Sequence, residues 1–139
     1  MTMKKILIFL LFFVFATAIL SFQLTKQRES YYQKKFGSIM NGRVEVTLDD
    51  QTRVDVLTDT FAIEVDFAEK WSQSVGQSLY YAEKLNKKPG ILLVINGVFD
   101  DKYVKRLMTV AYKHGITVWI MDYNNDTWGK VDVNVKYIY

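Results

Sequence analysis

The hydrophobic period changes at Phe67, and that change restricts this chain more than any other feature of its sequence. Before it, Arg43-Val-Glu-Val-Thr-Leu48, Arg53-Val-Asp-Val-Leu57 and Phe61-Ala-Ile-Glu-Val-Asp-Phe67 alternate apolar with polar side chains. The turn-rich Asp49-Asp50-Gln51 and the short break Thr58-Asp59-Thr60 separate them. A period of two marks strands with one covered face, so three strands follow in quick succession, the first two as a hairpin. After Phe67, Trp71, Val75, Leu79, Ala82 and Leu85 recur every three or four residues, which predicts an amphipathic helix ending at Asn86 with Pro89-Gly90 as the break.

The rest of the chain alternates helix with strand. Ile91-Leu-Leu-Val-Ile95 is a continuous apolar run, as in a strand covered on both faces in the middle of a sheet. Asp100 or Asp101 caps a helix through Lys113 that buries Tyr103, Val104, Leu107, Met108 and Ala111 and stops at Gly115. Ile116 to Met121 is a further strand. Val131, Val133, Val135 and Tyr137 alternate as an edge strand after the loop Asn124-Asn125-Asp126. A short helix over Leu24 to Phe36, closed by Gly37, precedes the three strands. The fold class is therefore α/β, a mixed sheet flanked by helices in the order α-β-β-β-α-β-α-β plus a C-terminal edge strand.

The N-terminus is different in kind. Lys4 and Lys5 precede an uncharged apolar run from Ile6 to Leu20, which reads as a signal peptide over residues 1–22 followed by one domain over 23–139. Ala16-Thr17-Ala18 offers a small-x-small cleavage signal, and cutting after Ser21 or an uncut inner-membrane anchor are the alternatives. In each case the lysines stay inside and the domain is exported, to the periplasm or beyond. Two of the 18 basic residues lie in this segment, so the domain, with 15 acidic residues, is close to neutral. That excludes a protein that coats nucleic acid by net charge alone. With no cysteine there is no disulfide framework and no thiolate metal site.

The chemistry lies in the carboxylates of the second and third strands. Val54 and Val56 are expected to face one way and Asp55 the other; Ile63 and Val65 leave Glu64 and Asp66 on the polar side. A two- or four-residue loop after Leu57 makes Asp55 and Glu64 direct or diagonal neighbours on strands about 4.8 Å apart. Acids that close repel unless protons or a cation intervene, and oxygen donors suit Mg²⁺, Mn²⁺ or Ca²⁺. The plainer alternative is a solvated face whose acids pair with Arg53 and Lys70.

Asp55, then Glu64-Val-Asp66, then a helix carrying Gln77-Ser-Leu-Tyr-Tyr81 resembles the PD-(D/E)xK nuclease superfamily, including the Q-x-x-x-Y signature of its exonuclease-like branch. The resemblance spans roughly Gly42 to Asp122 and extends to small uncharacterised bacterial members with an E-V-D variant motif. It implies a restriction-endonuclease-like fold and phosphodiester hydrolysis of DNA or RNA. Asp55, Glu64 and Asp66 would be the acids at Mg²⁺ (or Mn²⁺), with Asp55, Glu64, Lys70 and Gln77 as catalytic residues. Glu45 and Tyr81 would be auxiliary. The chain departs from the family at Asp66, where a lysine is expected; Lys70, close to two helical turns before Gln77, is the substitute. Gly76, costly in mid-helix, is expected where another element approaches closely. The expected partner is nucleic acid, with no small-molecule cofactor, membrane contact only through an uncut N-terminus, and a homodimer left open. The alternative is a catalytically inactive binding module of the same fold in the cell envelope.

His114 is the single histidine and precedes Gly115 at a helix C-terminus, where an imidazolium favours the helix dipole. With its one histidine read as a helix-end residue, no Ser/His/Asp arrangement is expected, and no glycine-rich phosphate loop is present.

Overall fold

The computed structural model describes residues 2–124 and 127–131, with the backbone alone at 22–27. Its elements run α1 (Met3–Ile39), β1 (Arg43–Thr47), β2 (Arg53–Leu57), β3 (Phe61–Phe67), α2 (Trp71–Leu85), β4 (Lys88–Ile95), α3 (Asp101–His114), β5 (Thr117–Asp122) and β6 (Thr127–Lys130). Short 3-10 turns at Ala68–Lys70 and Gly97–Asp100 lead into α2 and α3. The expected apolar leader and the expected short helix are thus one helix, because no residue between them breaks it. Contacts divide the chain into two units, Met1–Tyr31 and Tyr32–Tyr139.

In the first unit, Met3–Ser21 is long and apolar enough to cross a membrane by length and composition. The second unit holds one six-stranded mixed sheet with strands in sequence order. β1–β2, β2–β3 and β5–β6 are antiparallel; β3–β4 and β4–β5 are parallel. The parallel pairs are the two that need helical crossovers, supplied by α2 and α3.

Both faces of the centre are covered. Val56, Ile63, Val65, Phe67, Leu92, Val94, Trp119 and Met121 pack with Tyr32 and Phe36 of α1. Ile91, Leu93 and Val118 pack on the other face with Val104, Leu107 and Ala111 of α3. The continuous run in β4 thus divides its side chains between two cores, as its composition predicts. A smaller cluster joins Val54, Leu57 and Ala62 to Tyr81 of α2.

Several boundaries differ from expectation. Pro89 and Gly90 lie inside β4, opposite Ala62 and Ile63, and do not break the chain before it. The Lys88 N–H donates to Thr60 O at 2.9 Å, so the next backbone nitrogen points toward β5, which joins β4 only at Gly90↔Thr117. The missing N–H of Pro89 therefore costs no ladder bond. In α2 the buried residues are Ser74, Ser78, Tyr81 and Ala82, while Trp71, Val75 and Leu79 are only partly covered. The helix is rotated from its apolar stripe so that two serines face the sheet. Asn86 and Gly115 end α2 and α3 with left-handed φ, as expected of such caps. Asp100 sits at the N-cap of α3 without capping it, because its Oδ2 accepts the Asn96 N–H at 2.7 Å. β6 starts earlier than the expected edge strand, which from residue 132 onward lies outside the described residues.

Gly90 is required by packing. A Cβ there would meet Trp119 Cζ3 at 2.9 Å and Ile63 Cγ1 at 3.0 Å, both inside the fully covered core. Overpacking of this kind costs about 1–3 kcal/mol. Gly90→Ala is expected to lower the urea midpoint accordingly without changing the slope of the transition.

Candidate functional site

The antiparallel ladders fail together at one residue. β1 and β2 pair at Val44↔Val56 and Val46↔Val54 but pass over Glu45 and Asp55, and Glu45 takes a left-handed φ of 53°. β2 and β3 pair only at Val56↔Ile63 and Leu57↔Ala62. Val56 and Val44 consequently pack under α1, whereas Val54 and Val46 pack against Tyr81 and Leu85 of α2. This corrects the expectation that Val54 and Val56 share a face: the hairpin crosses from one core to the other at Asp55, and a strict alternation cannot describe a strand with such a break.

Asp55 occupies the gap. Its Oδ2 accepts the Val65 N–H at 2.9 Å, and its Oδ1 accepts Gln33 Nε2 of α1 at 2.8 Å. The carboxylate thus replaces a backbone acceptor that continued pairing would have supplied. The turn before β3 sets this register, since the Thr58 N–H donates to Phe61 O at 2.9 Å and leaves only Asp59-Thr60 as the loop.

Glu64 and Asp66 pair with Ile91 and Leu93 of β4 and share their face. Both acids are buried, not solvated: Glu64 is 2% exposed and Asp66 8%. The Asp55 backbone favours the charged form of Glu64, yet Glu64 Oε1 is a buried oxygen with no hydrogen-bond partner. Burial, followed by the charges of Asp55 and Asp66, pushes the Glu64 carboxyl up to about 10. Burial, only partly offset by the Val65 N–H, pushes Asp55 up to about 6. Arg53 is a cation that favours the charged form of both. An unmet negative charge here calls for a proton or a cation.

The remaining expected residues fall into two groups. Asp66 is engaged by α2 and the turn before it: Ser74 Oγ donates to its Oδ2 at 2.7 Å, and Lys70 Nζ lies 3.8 Å from its Oδ1. Lys70 therefore turns toward the acidic face, at Asp66. Gln77 and Tyr81 lie one turn apart on α2, and the buried Tyr81 packs with Val54 and Leu57, so it pins α2 to β2. Burial and the nearby Glu64 charge raise the Tyr81 hydroxyl above its ordinary value. Glu45 lies apart: it pairs with Arg53 at 3.3 Å on the exposed side of the hairpin. Gly76 would meet nothing within 4 Å, which overturns the expected close approach; it lies on the exposed side of α2.

Asp55 and Glu64 fit a hard divalent cation by donor chemistry, with Glu64 Oε1 as an oxygen in need of a partner. Among the described residues no three acidic or histidine side chains converge as a cation cage, so the expected set of Asp55, Glu64 and Asp66 is not assembled as a triad. Asp66 is instead committed to Ser74 and Lys70. Sequence reasoning missed Gln33 and Ser74, both buried polar groups that orient the acids. The available signals were a glutamine between Tyr32 and Phe36 on one helix turn, and serines spaced four apart on α2. Compared with known proteins, the chain matches no family model, no curated protein and no solved structure.

The two raised carboxyls fix a pH dependence. Free values are 3.8 for Asp55 and 4.5 for Glu64, so the native state retains protons that the unfolded chain has released. Stability in EDTA is therefore expected to fall as pH rises from about 4 toward about 10. Glu64→Gln is expected to flatten that decline across its upper half, and urea midpoints measured against pH for both proteins test it.

Proposed function

We propose that this chain is a metal-dependent phosphodiester hydrolase of the PD-(D/E)xK type, acting on DNA or RNA outside the cytoplasm. The observation that carries the reading is Glu64 Oε1, a buried carboxylate oxygen without a partner beside a second acid on the neighbouring strand. The order α1-β1-β2-β3-α2-β4, with antiparallel pairing through β3 and a parallel β4, supports a restriction-endonuclease-like arrangement that puts Asp55 and Glu64 on adjacent strands. The apolar helix Met3–Ser21 supports export as a signal sequence or an anchor.

In this reading Asp55 and Glu64 hold Mg²⁺ or Mn²⁺. Such an ion, when bound, neutralises phosphate charge and lowers the pKa of a water. Gln33 and the Val65 N–H fix the Asp55 carboxylate so that its oxygens present one geometry. Lys70, half-exposed at the start of α2, supplies positive charge at the edge of the acidic face. Gln77 and Tyr81 hold α2 in place over that face.

A second reading is a catalytically inactive binding module of the same fold. Asp66 favours it, since a carboxylate stands where the lysine would and Lys70 is engaged with that carboxylate.

The test is cleavage of plasmid DNA, single-stranded DNA and RNA by the full chain in detergent, with Mg²⁺, Mn²⁺ or EDTA. Cutting with either metal and none in EDTA is expected. Asp55→Ala and Glu64→Gln are each expected to lose about a hundredfold or more in rate, as when a group that stabilises the transition state is removed. Survival of cutting in Lys70→Ala would remove Lys70 from the mechanism. A folded protein that cuts nothing with either metal would leave the binding module as the function.

A further inference from the structure

We infer that the outer face of α3 and the turn before it form a lipid-contacting patch that fits an anionic bilayer surface. In that turn Val98 and Phe99 are 76% and 77% exposed, a pair of adjacent apolar side chains held out by a 3-10 segment. Gly97, with a φ of 51°, and the bond from the Asn96 N–H to Asp100 close the base of the turn and fix its tip outward. A largely exposed Phe beside an equally exposed Val is poorly accounted for by water and well accounted for by an apolar phase.

The helix that follows opens on Asp100 and Asp101, the first of which is held by the Asn96 N–H, and from Lys102 onward adds positive charge. α3 buries Val104, Leu107 and Ala111, and its opposite side carries Lys102, Lys105, Arg106 and Lys113. From Lys102 to His114 the sequence contains no acidic residue. Tyr103 lies beneath two of these cations, with Lys102 Nζ at 4.8 Å and Arg106 at 5.8 Å from its ring, and Tyr112 is 67% exposed farther along. Basic side chains, interfacial tyrosines and an apolar tip are the combination that lies on a membrane surface. The two exposed apolar residues favour a bilayer over a nucleic-acid backbone, which would reward the cations but not Val98 or Phe99. One such patch binds weakly by itself, and a second attachment makes it effective. The helix Met3–Ser21, long and apolar enough to cross a bilayer, is that second attachment where it is retained.

The absence of cysteine permits a clean test. Val98→Cys carries an environment-sensitive fluorophore in the full chain, reconstituted into phosphatidylcholine vesicles with or without phosphatidylglycerol. Thr47→Cys, exposed on β1, is the control. The label at 98 is expected to shift to the blue and to be quenched by lipid-borne spin labels when phosphatidylglycerol is present, while the label at 47 remains water-like. Each basic residue near an anionic surface contributes about fivefold in partitioning. Changing Lys102, Lys105 and Arg106 together to Gln is therefore expected to abolish the shift, and concentrated salt to weaken it. A water-like label at 98 in both vesicle types would overturn the inference and point to a protein partner for the tip. A shift that ignores phosphatidylglycerol and survives the triple change would equally overturn it, since the basic stripe would then play no part. Neither outcome depends on nuclease activity.

Discussion

The arrangement of the second unit follows from keeping three acids inside a sheet. Asp55, Glu64 and Asp66 lie on two adjacent strands, and each is buried. A carboxylate in such surroundings is strongly disfavoured unless donors or a cation meet it, so neighbouring elements are committed to meeting it. α1 contributes Gln33, β3 a backbone N–H, α2 Ser74 and the turn before it Lys70. Only Glu64 retains an oxygen without a partner.

The same acids account for the irregular backbone. A regular three-stranded meander would have paired Glu45 with Asp55 and hidden the backbone of both. The ladder instead opens at those residues, Glu45 turns left-handed, and the hairpin hands its apolar residues from the α1 core to the α2 core. Backbone strain of this sort persists when surrounding packing over-determines it, and it gathers at sites with a task. Here Val44 and Val56 on one side, and Val46 and Val54 on the other, supply that packing.

α2 carries the link between fold and candidate chemistry. Its two buried serines let the helix sit close to β3, and one of them reaches Asp66. Tyr81 packs its far half against Val54 and Leu57 of β2. Residues that look like a catalytic signature in the sequence thus also hold the helix that covers the acids, and the two roles are compatible.

The sequence by itself determined the α/β class, the order of all elements through β5, the caps at Asn86 and Gly115, and the acidic character of β2 and β3. These depend on period, turn chemistry and residue type, which are local. It limited the loop that brings Asp55 toward Glu64 to two or four residues, and the Thr58–Phe61 bond makes it two. Only the tertiary structure decided that Val54 and Val56 part to opposite cores, that Pro89 and Gly90 belong inside β4, and that Ser74 and Gln33 are buried beside carboxylates. Each of these is a choice among locally equivalent conformations, settled by what packs against the segment from far along the chain. Gly76 shows the converse, since its cost within α2 suggested a close neighbour and the fold leaves it facing open space.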